Sequence, residues 1–478
     1  MHPELFVGRQ EELQTLQALL KKRAASLVVV KGRRRVGKTR LLEEFAKNKK
    51  SYFFRGLAPS DKTTAQDQRD NFSRQLSTMT GLPEMTANDW SKLFLLLARE
   101  TKKGRIIIVL DEISWMGSLD ANFVSQLKDA WDTYFKKNPH LILIICGSIS
   151  TWIDENIINS TGFYGRISLT LTLNPLPLND ANQLLELQGF KGSIYEKFKI
   201  LSVTGGVPWY IEQMIGGYSA EENIKRQCFT KSGALFAEYD RIFKELFGKQ
   251  DTLYKKFVKS LVAGHLEYHE ISEAAEYKSS GRLSNYLENL IEAGFITRDF
   301  TWDIKNSKPS DLSHYRLSDN YLRFYLKYIE KKRAQIERGL LQDMALSSLP
   351  GWESIMGLQF ENLVVNNRDI LLKRLNIRKE DIIYDNPYWK KASTITAGCQ
   401  IDYLIQTKYK NIYLCEIKFS RNKVNAKIIE DVKGKIACLA LPKNTAILPV
   451  LIHVNGVQET VLDSRFFYEI IDFGDLLR

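Results

Sequence analysis

Cysteine is scarce in this sequence, and its few cysteines stand far apart. The 478 residues contain five of them and no Cys-x-x-Cys pair: Cys146, Cys228, Cys399, Cys415 and Cys438. That spacing argues against a disulfide framework and against a structural zinc site. A reducing compartment fits best, and we therefore expect a cytoplasmic protein.

Long apolar runs and targeting signals are also missing. No stretch of about 18 apolar residues occurs, and the first residues, MHPELFVGRQEEL, lack the basic and apolar regions of a signal peptide. We expect neither secretion nor any membrane partner. Six histidines are present, and none of them falls in a recognisable nucleophile motif, which disfavours a hydrolase of the serine–histidine type.

The composition is that of an ordinary globular protein with several domains. Hydrophobic residues make up 44% and charged residues 26%, which is enough apolar material for buried cores. At about 150 residues per domain, the length suggests about three domains. Lys and Arg number 68 against 56 Asp and Glu, and the net charge of +12 favours a nucleic-acid partner such as DNA. An ordinary basic surface would give the same balance.

The strongest motif is a phosphate-binding loop. A β-branched run, SLVVV, predicts a buried strand that leads into GRRRVGKT and then into the helical pattern RLLEEFAK. In such a loop Gly32 and Gly37 let backbone N–H groups surround phosphates, and Lys38 reaches the β- and γ-phosphates. Thr39 would supply a hydroxyl to Mg²⁺ at the helix N-terminus, with Arg40 next to it in the nucleotide site.

Two further apolar runs predict strands beside this loop. The run RIIIVL ends in Asp111 and Glu112, as expected for a central parallel strand. We predict that Asp111 binds Mg²⁺ and that Glu112 activates the attacking water in phosphoryl transfer. The run LILIIC ends near Ser148, which could sense the γ-phosphate or simply cap the next helix.

These motifs, taken in order, resemble a known family. FVGRQEE, the phosphate loop, LDEISWM, ICGSIS and GGVPWY together are similar to the archaeal-type ATPases related to the STAND class of AAA-like NTPases. The resemblance implies ATP and Mg²⁺ as cofactors. It also implies that Val7, Gly8 and Arg9 approach the adenosine, and that Pro208 does so from a helical lid.

The same resemblance singles out Arg166 in the segment FYGR. Proteins of this class often place an arginine there that meets the γ-phosphate of its own or a neighbouring subunit, which would imply a homo-oligomer. Such an arginine stabilises the charge that develops on the transferred phosphoryl group. The alternative is a surface arginine held in a salt bridge.

Residues from about 251 to 300 have the outline of a winged helix. Their third predicted helix, over 283–293, sets four apolar residues on one face: Leu283, Leu287, Leu290 and Ile291. Arg282, Ser284, Asn285 and Glu288 would face a DNA groove or solvent. The helix carries few basic residues, so two functions stay open: contact with DNA, or a packing spacer between domains.

The last 125 or so residues contain a second candidate site. Asp402 lies in a predicted strand, and Glu416 and Lys418 alternate in the next one, IYLCEIKF, so that both point to the same side. Two carboxylates and a lysine on one side could hold Mg²⁺ and activate water. This order resembles the PD-(D/E)xK nucleases, and the resemblance adds Glu361 to the metal-binding carboxylates Asp402 and Glu416.

One departure from that nuclease pattern leaves the function of the site open. Ile401 stands where the strict motif has proline. The acidic pair and the lysine are intact, which favours phosphodiester cleavage. A structural or DNA-holding relic is the alternative.

The sequence as a whole therefore predicts a multidomain α/β protein. We expect a P-loop NTPase parallel sheet with helical lid, a winged helix, and a C-terminal restriction-endonuclease-like α/β domain. The predicted boundaries are 1–175 for the ATPase core, 176–245 for the lid, 246–320 for the winged helix, 321–350 for a helical connector and 351–478 for the nuclease-like domain. The expected function is an ATP-hydrolysing switch coupled to a metal-dependent nuclease acting on DNA. A DNA-binding or signalling ATPase with a non-catalytic C-terminal scaffold is the alternative.

Overall fold

The chain divides into two compact units. The computed structural model describes residues 6–58, 60, 62–148, 151–278, 281–391, 398–439 and 441–477. The first unit contains the chain up to Pro175 together with Lys244–Gly248. The second contains Leu176–Phe243 and the chain from Lys249 onward. The segments predicted as lid, winged helix, connector and C-terminal domain thus share one compact unit.

The first unit is built on a five-stranded parallel sheet, ordered β2-β3-β4-β1-β5. Its strands are β1 Ser26–Gly32, β2 Ser51–Arg55, β3 Ile106–Asp111, β4 Leu141–Ser148 and β5 Ile167–Leu173. Its helices are α1 Gln10–Leu19, α2 Lys38–Ala46, α3 Ala65–Thr80, α4 Trp90–Glu100, α5 Ile113–Gly117, α6 Phe123–Thr133 and α7 Thr151–Ile153. This confirms the predicted α/β class and the parallel sheet typical of P-loop NTPases.

The continuous apolar runs form the middle of this sheet because helices cover both of its faces. Residues of β3 alternate between two separate cores: Ile108 and Leu110 face one, and Ile107 and Val109 face the other. All six residues of β3 are buried. Side chains that alternate in direction can be apolar throughout a strand when both faces are covered. Because β1, β3 and β4 pair in parallel, their carboxyl ends lie at the same edge of the sheet.

The second unit begins with helices and a hairpin. The helices are α8 Leu178–Leu187, α9 Ile194–Thr204, α10 Pro208–Glu212, α11 Ala220–Cys228, α12 Glu238–Phe247, α13 Asp251–Ser260, α14 Tyr268–Ala274 and α15 Gly281–Glu292. The last four residues of α12 belong to the first unit. Strands β6 Ile296–Asp303 and β7 Lys308–Leu317 form the antiparallel hairpin. Helix α15 buries Leu283, Leu287 and Leu290, and it exposes Arg282 and Glu288, as its apolar spacing predicts.

The rest of the second unit surrounds a mixed five-stranded sheet, ordered β12-β11-β10-β9-β8. Its strands are β8 Ile382–Lys390, β9 Cys399–Thr407, β10 Asn411–Phe419, β11 Ala446–Val454 and β12 Glu469–Asp472. Its helices are α16 Asn320–Phe324, α17 Glu330–Glu337, α18 Trp352–Asn366, α19 Arg368–Arg374, α20 Lys427–Cys438 and α21 Glu459–Asp463. Strand β10 is antiparallel to β9 and parallel to β11.

The tip of the β6–β7 hairpin packs into the core of this C-terminal sheet. Trp302 is 2% exposed and stacks on Tyr384, with 5.2 Å between the ring centroids. Its indole Nε1 donates a hydrogen bond to Gln406 Oε1 at 2.5 Å, and Gln406 Nε2 donates to the carbonyl of Ile304 at 3.0 Å. A buried tryptophan with a satisfied N–H contributes much apolar contact. The hairpin tip and the C-terminal domain are therefore packed together.

The helices can be compared with the length and apolarity needed to span a membrane. Within the parts of the chain that the structure describes, we find no helix with the length and apolarity that crossing a bilayer requires.

Candidate functional site

The phosphate loop joins the end of β1 to the start of α2. A Cβ atom on Gly32 would lie 2.5 Å from the carbonyl oxygen of Leu173, so this position accepts no larger residue. Gly37 has a φ of 88°, which favours glycine, and it precedes α2 without a side-chain cap. The first N–H groups of α2 thus lack a capping side chain, and such a helix start is suited to a phosphate.

Lys38 is buried and folds back over the loop that carries it. Its Nζ donates to the carbonyl oxygens of Gly32 at 2.9 Å and of Arg33 at 3.1 Å. It also lies 3.4 Å from Ser148 Oγ, because the parallel register sets Gly32 beside Ser148. The structure thus brings Lys38 and Ser148 together at one edge of the sheet. Whether Ser148 senses a γ-phosphate stays a prediction.

The residues predicted to hold Mg²⁺ in the first unit are in direct contact. Thr39 Oγ1 donates to Asp111 Oδ2 at 2.9 Å, across the gap between α2 and the end of β3. Asp111 is buried, with 3% of its surface exposed. A hydroxyl and a carboxylate are oxygen ligands of the kind that Mg²⁺ prefers. This geometry fits the cation that the sequence predicts.

Glu112 follows Asp111 in the left-handed backbone region, with a φ of 53°. The backbone N–H of Ser148 lies 3.4 Å from its Oε2. Burial raises the pKa of Glu112, and the nearby Lys38 ammonium partly offsets that shift. A carboxylate with a raised pKa is a stronger general base for activating water.

Arg9 is buried and bound to backbone of the first unit. Its Nη2 donates to the carbonyl of Val36 at 3.1 Å and to the carbonyl of Asn174, and its Nη1 pairs with Glu12 at 3.0 Å. The guanidinium therefore ties the N-terminal segment to the phosphate loop and to the chain after β5. The predicted roles of Val7, Gly8 and Arg9 toward adenosine stay predictions.

Arg166 forms a bidentate pair with a residue that the sequence did not reveal. Its Nε and Nη2 donate to Asp132 at 2.9 to 3.1 Å, and Asp132 belongs to α6. The hydrogen bonds from Arg166 hold the pKa of the Asp132 carboxyl well below its usual range. A role for Arg166 toward a γ-phosphate stays a prediction, and it would require Arg166 to exchange this partner.

The remaining predicted nucleotide residues lie at the starts of two helices. Arg40 is partly exposed in the first turn of α2, 3.8 Å from Glu43. Pro208 opens α10 in the second unit, directly after a tight Gly205-Gly206 turn. A Cβ on Gly206 would lie 2.1 Å from the carbonyl oxygen of Leu176, so the turn requires glycine. The predicted contacts of Arg40 and Pro208 with ATP stay predictions.

In the C-terminal sheet, Asp402 and Glu416 meet across neighbouring strands. Strands β9 and β10 pair up to Cys415 opposite Tyr403, and the same register, continued by one residue, sets Glu416 opposite Asp402. Here Asp402 Oδ2 accepts a hydrogen bond from the backbone N–H of Ile417 at 2.8 Å. Opposed residues of an antiparallel pair have side chains on the same face. The two carboxylates are thus brought together as predicted.

A lysine that the sequence motif did not include lies between these carboxylates. Lys435 Nζ is 2.5 Å from Glu416 Oε2 and 3.4 Å from Asp402 Oδ1. Lys418 Nζ pairs with the other oxygen of Glu416 at 2.7 Å. Lys435 belongs to α20, where Val432 is buried one turn before it and Ile428 two turns before it. No local sequence pattern pairs Lys435 with Glu416, because the two residues lie 19 positions apart.

Burial shapes the charge of this second site. Burial raises the pKa of Glu361 to about 8, with a further contribution from the Asp402 carboxylate. Burial and the neighbouring Glu416 raise the pKa of Asp402 as well. Burial alone would lower the pKa of Lys435, but the two carboxylates outweigh it and the net shift is upward. The site is therefore a compact group in which lysine charge offsets carboxylate charge.

The predicted three-carboxylate metal group is not formed as the side chains lie here. Among the residues that the structure describes, no three Asp, Glu, His or Cys side chains are placed to hold one metal ion. The pair Asp402 and Glu416 is present, and Lys435 supplies the positive charge between them. A metal ion at this pair would have to replace the Lys435 ammonium.

In comparisons with known proteins, the N-terminal part of the chain is similar to ATPases. Residues 6–214 match a family described as an ATPase domain predominantly from Archaea. An uncharacterized protein of Methanocaldococcus jannaschii is 26% identical over 394 residues, which cover 82% of this chain and 83% of that protein. An uncharacterized ATP-binding protein of the same organism is 48% identical over 46 residues, 10% of this chain and 78% of that protein.

A solved structure supports the same fold. The Walker-type ATPase of Pyrococcus abyssi superposes with a TM-score of 0.52 and 17% sequence identity. The match covers 67% of this chain and 96% of that one. At this identity the similarity bears on the fold alone.

Proposed function

We propose that the chain is an ATP-driven switch whose C-terminal domain acts on DNA. The match of residues 6–214 to an ATPase domain found predominantly in Archaea supports the ATPase part. The coupling to DNA is the step that we add. It rests on the juxtaposition of Asp402, Glu416, Lys418 and Lys435 at one place in the C-terminal sheet.

The first unit would bind ATP with Mg²⁺ in the glycine-lined loop. Thr39 and Asp111 would hold the metal, which supplies positive charge against the phosphates when bound. Lys38 would exchange its backbone carbonyl partners for phosphate oxygens, since an ammonium pairs more strongly with an anion than with a neutral carbonyl. Glu112 would orient the attacking water and accept its proton.

The C-terminal site would hydrolyse a phosphodiester bond. Water attacks phosphorus, a new P–O bond forms, and the bond to the leaving sugar oxygen breaks as that oxygen takes up a proton. Asp402 and Glu416 would hold Mg²⁺ in place of the Lys435 ammonium, and the charge of the metal would offset the developing negative charge. Lys418 lies on the same carboxylate and would assist in that stabilisation.

The test of this function is cleavage by the full chain. Supercoiled plasmid, single-stranded DNA and RNA are incubated with the protein and Mg²⁺, with and without ATP. We expect cleavage of at least one DNA substrate and its loss in Asp402→Ala. Asp463→Ala, a change at an exposed residue of α21, is the matched control and should cleave as the wild type does. Equal cleavage by Asp402→Ala, or none by the wild type at high protein concentration, contradicts the nuclease function.

A second candidate function is favoured by the position of Lys435. Its ammonium satisfies both carboxylates without a metal, as in a site that holds a structure together and does no chemistry. The packed tip of the predicted winged helix likewise fits a spacer between domains. The protein would then be a DNA-binding or signalling ATPase. DNA affinity that falls steeply with salt, in the absence of cleavage, would identify the DNA-binding form.

A further inference from the structure

A short loop beside the C-terminal site presents three cations to solvent. This segment, residues 420–427, joins β10 to α20, and we call it the basic loop. Its cations are Arg421, Lys423 and Lys427, and all three are exposed. None of them forms a salt bridge with a described carboxylate. They differ in this from Lys433, which pairs with Glu430 at 3.0 Å.

The backbone of the basic loop is held in place from a neighbouring turn. Asn455 Nδ2 donates to the carbonyls of Ser420 at 3.0 Å and of Arg421 at 3.2 Å. The N–H of Val424 donates to the carbonyl of Gly456 at 3.1 Å, and the N–H of Gln458 donates to Val424 at 2.9 Å. Val424 itself is buried. A loop that is ordered before binding loses little conformational entropy when a ligand arrives.

The loop lies directly after the strand that carries the candidate site. Arg421 follows Lys418 by three residues, so a fully extended chain, with about 3.3 Å of rise per residue, would separate their backbones by at most about 10 Å. Successive nucleotides of one strand advance about 3.4 Å along a DNA helix axis. A strand whose phosphate lies at Lys418 would therefore pass the basic loop within about three nucleotides.

We propose that the basic loop is the surface that holds the nucleic-acid backbone next to the carboxylate and lysine site. The inference rests on the proposed action on DNA and names the residues that would bind the strand. Unpaired lysine and arginine side chains on a fixed backbone bind phosphates and release counterions. Two exposed carboxylates follow Lys427 within one turn: Glu430 is paired with Lys433, and Asp431 weakens the local field. The three cations of the basic loop thus stand against Asp431.

Binding without cleavage tests this surface separately from catalysis. The dissociation constant of a fluorescent 20-base-pair duplex is measured in EDTA over a range of KCl concentrations. The test variant is Arg421→Ala/Lys423→Ala/Lys427→Ala. The control is Lys102→Ala/Lys103→Ala/Arg105→Ala, which removes the same charge from exposed residues of the first unit. Melting temperatures of both variants report whether each one is folded.

We expect the loop variant to bind at least about 10-fold more weakly at low salt. Its slope of log affinity against log salt should fall by about 2 to 3, because three phosphate contacts are lost. The control should remain within about twofold of the wild type. An equal loss in both variants, or no change in the loop variant, overturns the proposal. The proposal is also overturned if the loop variant loses binding to phosphatidylserine vesicles and keeps its binding to DNA.

The binding and cleavage results can fail independently of each other. If the loop variant has a smaller slope of log affinity against log salt and the wild type does not cleave DNA, the basic loop still binds nucleic acid and the nuclease function is wrong. Cleavage by the wild type with an unchanged slope in the loop variant would remove the loop assignment alone.

Discussion

The two candidate sites use the same residue types and hold their lysines differently. In the first unit, Lys38 donates to backbone carbonyls of its own loop, and Asp111 pairs with the hydroxyl of Thr39. In the C-terminal sheet, Lys435 and Lys418 both lie directly on Glu416. In the first arrangement, the Lys38 ammonium would gain a stronger hydrogen-bond partner when an anion binds. The second is already satisfied, and it must exchange a partner before it can bind a metal or a phosphate.

We expect the largest loss of activity from substitution of Lys38. Lys38→Ala removes the side chain that would reach the β- and γ-phosphates, so ATP turnover should fall at least about 100-fold. Phosphate release in the presence of Mg²⁺ measures it, with Lys21→Ala at an exposed position of the same unit as the control. A loss below about 10-fold would show that Lys38 does not serve the nucleotide as proposed.

Glu112 should separate hydrolysis from binding. Glu112→Gln keeps the shape of the side chain and removes the base, so turnover should fall about 100-fold while the affinity for ATP changes little. Binding of a fluorescent ATP analogue and release of phosphate are measured on the same preparation. A parallel loss of both would mean that Glu112 contributes to the fold of the site, and the contrast between its role and that of Lys38 would disappear.

The C-terminal lysines should differ in their effect on stability. Lys435→Met leaves Asp402 and Glu416 buried without their shared cation, which should cost about 3 kcal/mol of unfolding free energy. Lys418→Met should cost about 1 kcal/mol or less, because the Lys418 side chain is 41% exposed and screened by water. Thermal unfolding compares the two variants.

The melting temperatures of the same variants with added Mg²⁺ test whether a metal ion can bind at this site. If a metal ion can take the place of the Lys435 ammonium, Mg²⁺ should raise the melting temperature of Lys435→Met more than that of the wild type. Equal melting temperatures for the two lysine variants would contradict the central position that we assign to Lys435.

The smallest expected effect is a pH dependence of stability, which arises where the hairpin contacts the C-terminal sheet. His265 and His314 pack against Trp389, and burial lowers the pKa of His265 to about 4 and lowers that of His314 as well. The unfolded chain, with histidine pKa values near 6.5, binds more protons than the folded chain between pH 6.5 and pH 4. Stability is therefore full above pH 6.5 and is lost as the pH falls toward 4.

Denaturant unfolding at pH 7 and pH 5 measures this loss. His265→Gln should reduce the difference between the two pH values by about 1 kcal/mol. His140→Gln, at an exposed position of the first unit, is the control and should leave the difference unchanged. A wild type with equal stability at both pH values would show that these histidines do not stay neutral in the folded chain.

The proximity of the candidate nucleotide-binding residues could be predicted from sequence because these residues are contiguous or directly follow apolar strands. Gly32 to Thr39 form one segment, and Asp111 and Glu112 directly follow the buried run of β3. Parallel strands bring such ends to one edge of a sheet. The α/β class and the strands β1, β3, β4, β9 and β10 could be predicted for the same reason, since alternation and apolar runs are local signals.

The missed features depend on contacts between distant residues. Asp132 meets Arg166 across 34 positions, and Lys435 meets Glu416 across 19, so neither partner is visible in a local pattern. The grouping of the lid with the C-terminal domain depends on contacts of the same kind. Asn182 Nδ2 donates to the carbonyl of Leu477 over 295 positions. Such contacts join the predicted lid to the C-terminal domain within the second unit.

The central claim is that nucleotide in the first unit controls cleavage of DNA by the second. The most direct test compares the rate of Mg²⁺-dependent plasmid cleavage with ATP and without nucleotide, in the wild type and in Lys38→Ala. We predict that ATP changes the rate of the wild type several-fold, and that Lys38→Ala cleaves at one rate in both conditions. Identical rates with and without ATP in the wild type would contradict the coupling.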